Sequence, residues 1–185
     1  MKTPDRIISA KPTLSTNNIG KIPSPDLILL CVKSYDLDQA VTAIKTVAHE
    51  ITVIISLLNG VNIVERIRAI LDKGIVLPTC LYLGTHIEIP GVINQSGGNG
   101  IIICGPNRKH LEYSNDSVKD FFQKNGIKFE WRDDPLPKIW EKYMFIAAFG
   151  LVTALYGEAL GTVMKNAQHH NVVKGILEEI LAKSC

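Results

Sequence analysis

The sequence predicts an α/β protein: a parallel sheet with antiparallel additions, followed by the start of an all-helical C-terminal part. Three observations predict it. Two near-continuous apolar runs alternate with two amphipathic segments in the first 75 residues; short runs punctuated by glycine and proline fill the middle; from Pro137 onward the pattern is helical. Apolar runs without polar alternation suit strands buried on both faces, and strand–helix alternation with short links is the pattern of a parallel sheet.

The elements follow in order. Asp26–Lys33 (DLILLCVK), behind a Pro-Ser-Pro turn signal, reads as the first buried strand, and Asp36–His49 as a helix with Asp36 at its N-cap and Ala40, Ala43, Ile44 and Val47 on one face. Ile51–Leu57 (ITVIISL) reads as the second strand. Asn59-Gly60 turns the chain into a helix over Val61–Asp72, with Val61, Val64, Ile67 and Leu71 inward and Gly74 closing it. The runs Ile75–Leu83, Gly91–Asn94 and Ile101–Cys104 are separated by Pro90-Gly91 and by Gly97-Gly98-Asn99-Gly100, which suggests antiparallel strands joined by hairpins. A helix over His110–Lys124 with Leu111, Val118, Phe121 and Phe122 inward, and a strand over Ile127–Trp131, complete the first part. Pro137–Tyr156, apolar nearly all round, and Asn171–Lys183 read as two helices of the second. The expected domains are 1–133 and 134–185.

Composition narrows the function. A hydrophobic share of 46 % against 21 % charged residues supports a buried core, which excludes wholesale disorder. Twenty Lys+Arg against eighteen Asp+Glu leave +2, too even a balance for the phosphate-neutralising field of non-specific nucleic-acid binding. A small-molecule partner is expected, with no nucleic acid and no membrane. The N-terminus lacks the apolar core of a signal peptide, and no uninterrupted apolar run approaches the ~20 residues that span a bilayer, so the expected location is cytoplasmic. Cys31, Cys80, Cys104 and Cys185 are scattered without C-x-x-C spacing, so no metal site is expected; Cys31 and Cys104, inside apolar runs, are expected to pack as small hydrophobes.

Some motifs are better read as structure than as chemistry. Gly98-Asn99-Gly100 precedes a strand instead of linking a strand to a helix, so a hairpin turn accounts for it better than a phosphate loop. His169-His170 are adjacent and cannot share one helix face toward a metal; they read as a solvated helix start, and Glu178-Glu179 as a solvated face. Three residues carry more. Lys33 ends a buried strand, and ligands of open α/β sheets bind beyond the carboxyl ends of strands, although a strand-end lysine also reaches water by itself. Asn59 follows the next strand, in a turn that a Gly60 of positive φ would equally explain. Lys142 is followed by the almost wholly apolar Tyr143–Leu155, surroundings that disfavour its charged form and suit a proton donor; a lysine bounding a buried helix accounts for it equally.

Together Asp26–Asp36 (DLILLCVKSYD), Leu57–Val61 (LLNGV), Pro90-Gly91 with the glycine-rich stretch into Ile101–Gly105 (IIICG), and Trp140-Glu141-Lys142 with Thr153-Ala154-Leu155 resemble the ketopantoate reductase (2-dehydropantoate 2-reductase) family. The resemblance implies a Rossmann-type NADP-binding domain, a helical domain that binds substrate and forms a homodimer, and NADPH-dependent reduction of a 2-keto acid in pantothenate biosynthesis. It implies Lys142 as general acid also touching substrate, Asn59 beside nicotinamide ribose and substrate, and Lys33 beside the cofactor.

The departures are specific. Ile146 and Gly150 stand four and eight residues after Lys142, where the family's best-studied pattern has substrate-binding asparagines, so an apolar wall is expected there. The resemblance also implies a partial sheet whose first βαβ unit, with its G-x-G-x-x-G, is missing, and a helical domain cut short, hence an incomplete copy with weak or no activity. A non-enzymatic structural or oligomeric fragment, or another dehydrogenase of the opine or glycerol-3-phosphate type, are the alternative functions.

Overall fold

A computed structural model describes residues 1–182. The Asn171–Lys183 helix expectation therefore loses its last residue, and Cys185 lies outside the described residues. The chain forms two compact units, Met1–Pro135 and a second from Leu136 onward.

The first unit is built on a three-stranded parallel sheet, β1 (Leu27–Leu30), β2 (Val53–Ser56) and β3 (Ile75–Leu77), in the order β1-β2-β3. The helices α1 (Leu37–Ile44) and α2 (Ile63–Ile70) are the crossovers. β2 is buried at every position because both faces are covered. On one face Leu30, Ile54 and Val76 pack with Leu37, Val41, Ile44 and Ala48 of the α1 segment and with Ile63, Ile67 and Leu71 of the α2 segment. On the other, Val53, Ile55 and Leu77 meet Ile102, Cys104, Val118 and Phe122. Each fully buried Leu, Ile or Phe here contributes about 1.5–3 kcal/mol.

Several local expectations are corrected. β1 ends at Leu30, so Cys31 is exposed beyond it instead of packing in the strand. Asp36 precedes α1 but makes no capping hydrogen bond, because Asp36 itself has near-helical dihedrals at the end of a 3-10 turn, Ser34–Asp36. The buried stripe of the α1 segment is Leu37, Val41, Ile44 and Ala48; Ala40, Ala43 and Val47 are half-buried on its flank. α2 begins at Ile63, after Val61, and Val61 and Val64 are only half-buried; Ile63 is buried, and Ile67 and Leu71 are buried as expected.

Pro78 splits the Ile75–Leu83 run. Before it β3 belongs to the parallel sheet; after it β4 (Thr79–Ile89) pairs antiparallel with β5 (Val92–Cys104), and β6 (Lys128–Trp131) adds parallel to β5. The hairpin turn is Pro90-Gly91, with Gly91 at φ 82°. Gly98-Asn99-Gly100 is not a turn: it lies within β5. Tyr82 pairs with Ile101 and Gly84 with Gly97, so three residues of β5 oppose the single Leu83. This is an enlarged β-bulge, and it requires the φ of +74° at Gly98 and +63° at Gly100.

The predicted helix over His110–Lys124 begins only at Asp116, as α3 (Asp116–Lys124). Upstream, the Asn107 side chain bonds the Val76 carbonyl through Nδ2 and accepts from the Lys109 amide through Oδ1 (2.8 Å), which holds the segment in turns. Leu111 is consequently exposed, as is Phe121; Val118 and Phe122 are buried as expected.

The second unit has three described helices, not two: α4 (Leu136–Tyr156), α5 (Leu160–Lys165) and α6 (Ala167–Leu181). Gly157 at φ 65° stops α4, with the Glu158 amide bonding back to Thr153 O at 3.2 Å. Asn166 caps α6, accepting from the amides of Gln168 and His169, so this helix starts four residues before the expected Asn171. Ala148, Val152, Val163 and Val173 form the core of this unit. By length and composition alone, α4 is long and apolar enough to cross a membrane. Its first two turns carry Lys138, Glu141 and Lys142, leaving Tyr143–Tyr156, about 21 Å at ~1.5 Å per residue, against a hydrocarbon core of ~30 Å.

His169 does not sit at a solvated helix start. It is 8 % exposed, its Nδ1 lies 2.9 Å from Glu158 Oε2, and its ring stacks on Tyr156 with centroids 3.7 Å apart. His170, Glu178 and Glu179 are exposed.

Candidate active site at the sheet edge

Parallel pairing fixes where the first two candidate residues stand. Leu30 pairs with Ser56 at the ends of β1 and β2, and the Leu57 amide donates to Leu30 O at 2.9 Å. Lys33 and Asn59 each lie three residues beyond this pair, at the carboxyl edge of the parallel sheet, and both are exposed. Parallel strands end at the same edge, which is why β1 and β2 deliver an ammonium and an amide to one side of the sheet. Such groups can pair a phosphate and hydrogen-bond a hydroxyl or carboxamide.

Behind Lys33 the chain makes the 3-10 turn Ser34–Asp36, closed by the Leu37 amide on Ser34 O, and presents Tyr35 at 82 % exposure. Behind Asn59, Gly60 leads through Asn62 into α2. Arg66 of α2 reaches back to the turn: Nη1 donates to Ser34 Oγ at 2.8 Å, and Nη2 donates to Ser34 O at 2.9 Å and Asp38 Oδ1 at 2.8 Å. The sequence carries no signal for this, since an arginine on an amphipathic helix reads as a solvated charge.

Lys142 belongs to the second unit. It is half-buried in the second turn of α4, after Glu141, whose Oε2 lies 2.5 Å from Lys138 Nζ. Trp140 and Tyr143 stack edge to face on either side in sequence, with centroids 5.9 Å apart. Four and eight residues on, Ile146 is 36 % exposed and Gly150 is exposed with open space where a Cβ would stand.

Among the described residues, no three His, Cys, Asp or Glu side chains gather as metal ligands would. Residues 1–26 contain isolated bridges, Lys2 with Ile7 and Asn94, and one 3-10 turn, Ile19–Lys21; no strand–G-x-G-x-x-G–helix unit occurs among the described residues. The edge thus fits part of a dinucleotide, a phosphate-pairing cation and an amide, without a glycine-rich pyrophosphate cradle.

Known proteins match along most of the chain. The family profile described as ketopantoate reductase PanE/ApbA matches residues 2–109, and its C-terminal counterpart matches residues 134–183. The 2-dehydropantoate 2-reductase of Aquifex aeolicus (strain VF5) is 24 % identical over 171 residues, covering 91 % of this chain and 55 % of that protein. The crystal structure of 2-dehydropantoate 2-reductase from Porphyromonas gingivalis W83 superposes with a TM-score of 0.81 at 26 % identity, covering 96 % of this chain and 61 % of that one. A PanE/ApbA family ketopantoate reductase from Ralstonia eutropha JMP134 shares the fold at a TM-score of 0.82 and 22 % identity, over 98 % of this chain and 58 % of that one. The chain spans about half the length of the curated relatives it matches. The first profile alone takes in more than half of the 185 residues, and the chain belongs to the ketopantoate reductase family.

Proposed function

We propose that this chain carries part of the active site of an NADPH-dependent 2-keto acid reductase, with 2-dehydropantoate reduced to pantoate. The observation that carries the reading is the register that brings Lys33 and Asn59 to one sheet edge in a chain of this family. Residues 1–133 are then the nucleotide-binding part and 134–185 the start of the part that binds substrate and a second copy. Exposed Phe145, Leu151, Leu155 and Met164 in the helical part support that association.

When bound, NADPH supplies the hydride. The protein's share is positioning and proton transfer. Lys33 Nζ pairs a cofactor phosphate, and the Asn59 side-chain amide hydrogen-bonds the ribose and orients the substrate beside it. Lys142 Nζ hydrogen-bonds the keto oxygen, stabilises negative charge developing there, and gives up its proton to form the hydroxyl.

Titration of NADPH against the purified chain tests the reading. A saturable change in nucleotide fluorescence, weakened in Lys33→Ala and Asn59→Ala, is expected; none up to millimolar nucleotide sinks it. With turnover of 2-dehydropantoate, Lys142→Ala is expected to lower kcat by about 10²–10⁴-fold while leaving NADPH affinity unchanged.

A further inference from the structure

Two loops leave the carboxyl edge of the parallel sheet, and the Arg66 side chain ties one of them to the helix that follows the other. Arg66 rises from α2, the helix entered from the Asn59 loop, and its guanidinium makes three bonds to the segment that begins immediately after Lys33. Its side chain is 29 % exposed, so the guanidinium works partly shielded from water. The fork is used in full: one nitrogen takes the Ser34 hydroxyl, the other spans the Ser34 carbonyl and the Asp38 carboxylate. Planar, multidentate binding of this kind fixes orientation as well as distance, which a lysine ammonium cannot reproduce.

The two helices have a second tie at their other ends. Lys45, just past α1, donates from Nζ to Ile70 O at 3.0 Å and lies 3.7 Å from Asp72 Oδ1. Loss of Lys45 therefore loosens the same pair of helices far from the sheet edge. Loss of Arg66 loosens them at the edge, where Lys33 stands.

We propose that Arg66 is a positioning residue: by clamping the Ser34–Asp38 segment to α2 it holds the Lys33 loop at a fixed distance from the Asn59 loop, and so sets nucleotide affinity without touching the nucleotide. This rests on the reading of that edge as the NADPH site. Holding two contacts in place before binding spares the ordering cost at binding, so the effect falls on affinity.

The test compares the full chain with Arg66→Ala, Arg66→Lys and Lys45→Ala in two measurements. The first is NADPH affinity by nucleotide fluorescence. The second is the rate of limited tryptic cleavage at the Lys33–Ser34 bond, read by mass spectrometry, which reports local opening of the clamped turn. Arg66→Ala is expected to bind NADPH at least tenfold more weakly and to be cut at least tenfold faster after Lys33; Arg66→Lys should fall between it and wild type, and Lys45→Ala should stay within twofold of wild type in both. If wild type binds and Arg66→Ala matches Lys45→Ala in affinity, the positioning role is overturned. Unchanged cleavage in Arg66→Ala overturns the clamp itself. Absence of saturable binding by wild type overturns the nucleotide reading and the positioning role together, with the cleavage rates still reporting whether the clamp exists.

Discussion

His169 Nδ1 and Glu158 Oε2 lie 2.9 Å apart, joining α6 to the loop that leaves α4, with the imidazole stacked on Tyr156 at 3.7 Å. A carboxylate only accepts, so the ring donates from Nδ1. His169→Ala removes this bond together with a ring that is 8 % exposed, and is expected to destabilise the helical unit by about 2 kcal/mol. Glu158→Gln keeps a carbonyl acceptor and should cost less. Urea unfolding followed by far-ultraviolet circular dichroism checks both; a midpoint unchanged in His169→Ala refutes the bond as a structural tie.

That same histidine shows what the sequence could and could not convey. The parallel strands were legible because Leu27–Leu30 and Val53–Ser56 are apolar runs without polar alternation, but only β2 is buried at every position; in β1 Leu30 alone is fully buried and Leu29 is exposed, contrary to the expected burial on both faces. The common edge of Lys33 and Asn59 followed from connectivity alone. His169, Arg66 and Asn107 were not legible, because each is defined by a partner far away in sequence: Glu158, Ser34 and Val76. Helix α5 escaped for a different reason. At Leu160–Lys165 it is too short to show a helical period, and its one buried side chain, Val163, is held by contacts from α4 and α6.

The bulge in β5 separates two neighbouring glycines by their geometry. Gly98 has φ +74°, and a Cβ there would stand 2.7 Å from Tyr82 O, a backbone atom that cannot swing aside; a Cβ at Gly97 meets nothing within 4 Å. Gly98→Ala is expected to lose about 1–3 kcal/mol, and Gly97→Ala less than about 0.5 kcal/mol. Thermal unfolding of the two variants side by side provides the comparison. Equal losses would mean that the bulge does not need its left-handed residue.

Substrate choice is open to a direct trial on α4. Ile146 and Gly150 follow Lys142 at four-residue intervals, so all three lie along one stripe of the helix, and the space at Gly150 is open. This stripe offers the hydroxyl of 2-dehydropantoate no hydrogen-bond partner, so it contributes little to distinguishing that substrate from an alkyl 2-keto acid. The double variant Ile146→Asn, Gly150→Asn is expected to raise the ratio of kcat/KM for 2-dehydropantoate over an alkyl 2-keto acid by about tenfold or more. A ratio unmoved by the substitutions would show that this stripe does not meet the substrate.

His110 contributes to the pH dependence of stability. Burial first, then the nearby Arg68 and Lys109 cations, hold its pKa below the ordinary 6.5. Arg68 is fixed there by its bonds to Lys73 O at 3.1 Å and Gly74 O at 2.7 Å, and His110 Nδ1 lies 3.2 Å from Asn107 Oδ1. Because the folded pKa lies below the unfolded one, the unfolded chain takes up the proton first as pH falls. The stability associated with the neutral ring is whole above pH 6.5 and is lost as pH drops from there through the folded value. His110→Gln has no such proton to gain, so wild type is expected to lose more stability than the variant between about pH 7.5 and 5.5. Carboxylates titrate alike in both proteins and cancel in the difference between their urea midpoints. A smaller loss in wild type than in His110→Gln would reverse the sign and show that the folded protein favours the charged ring.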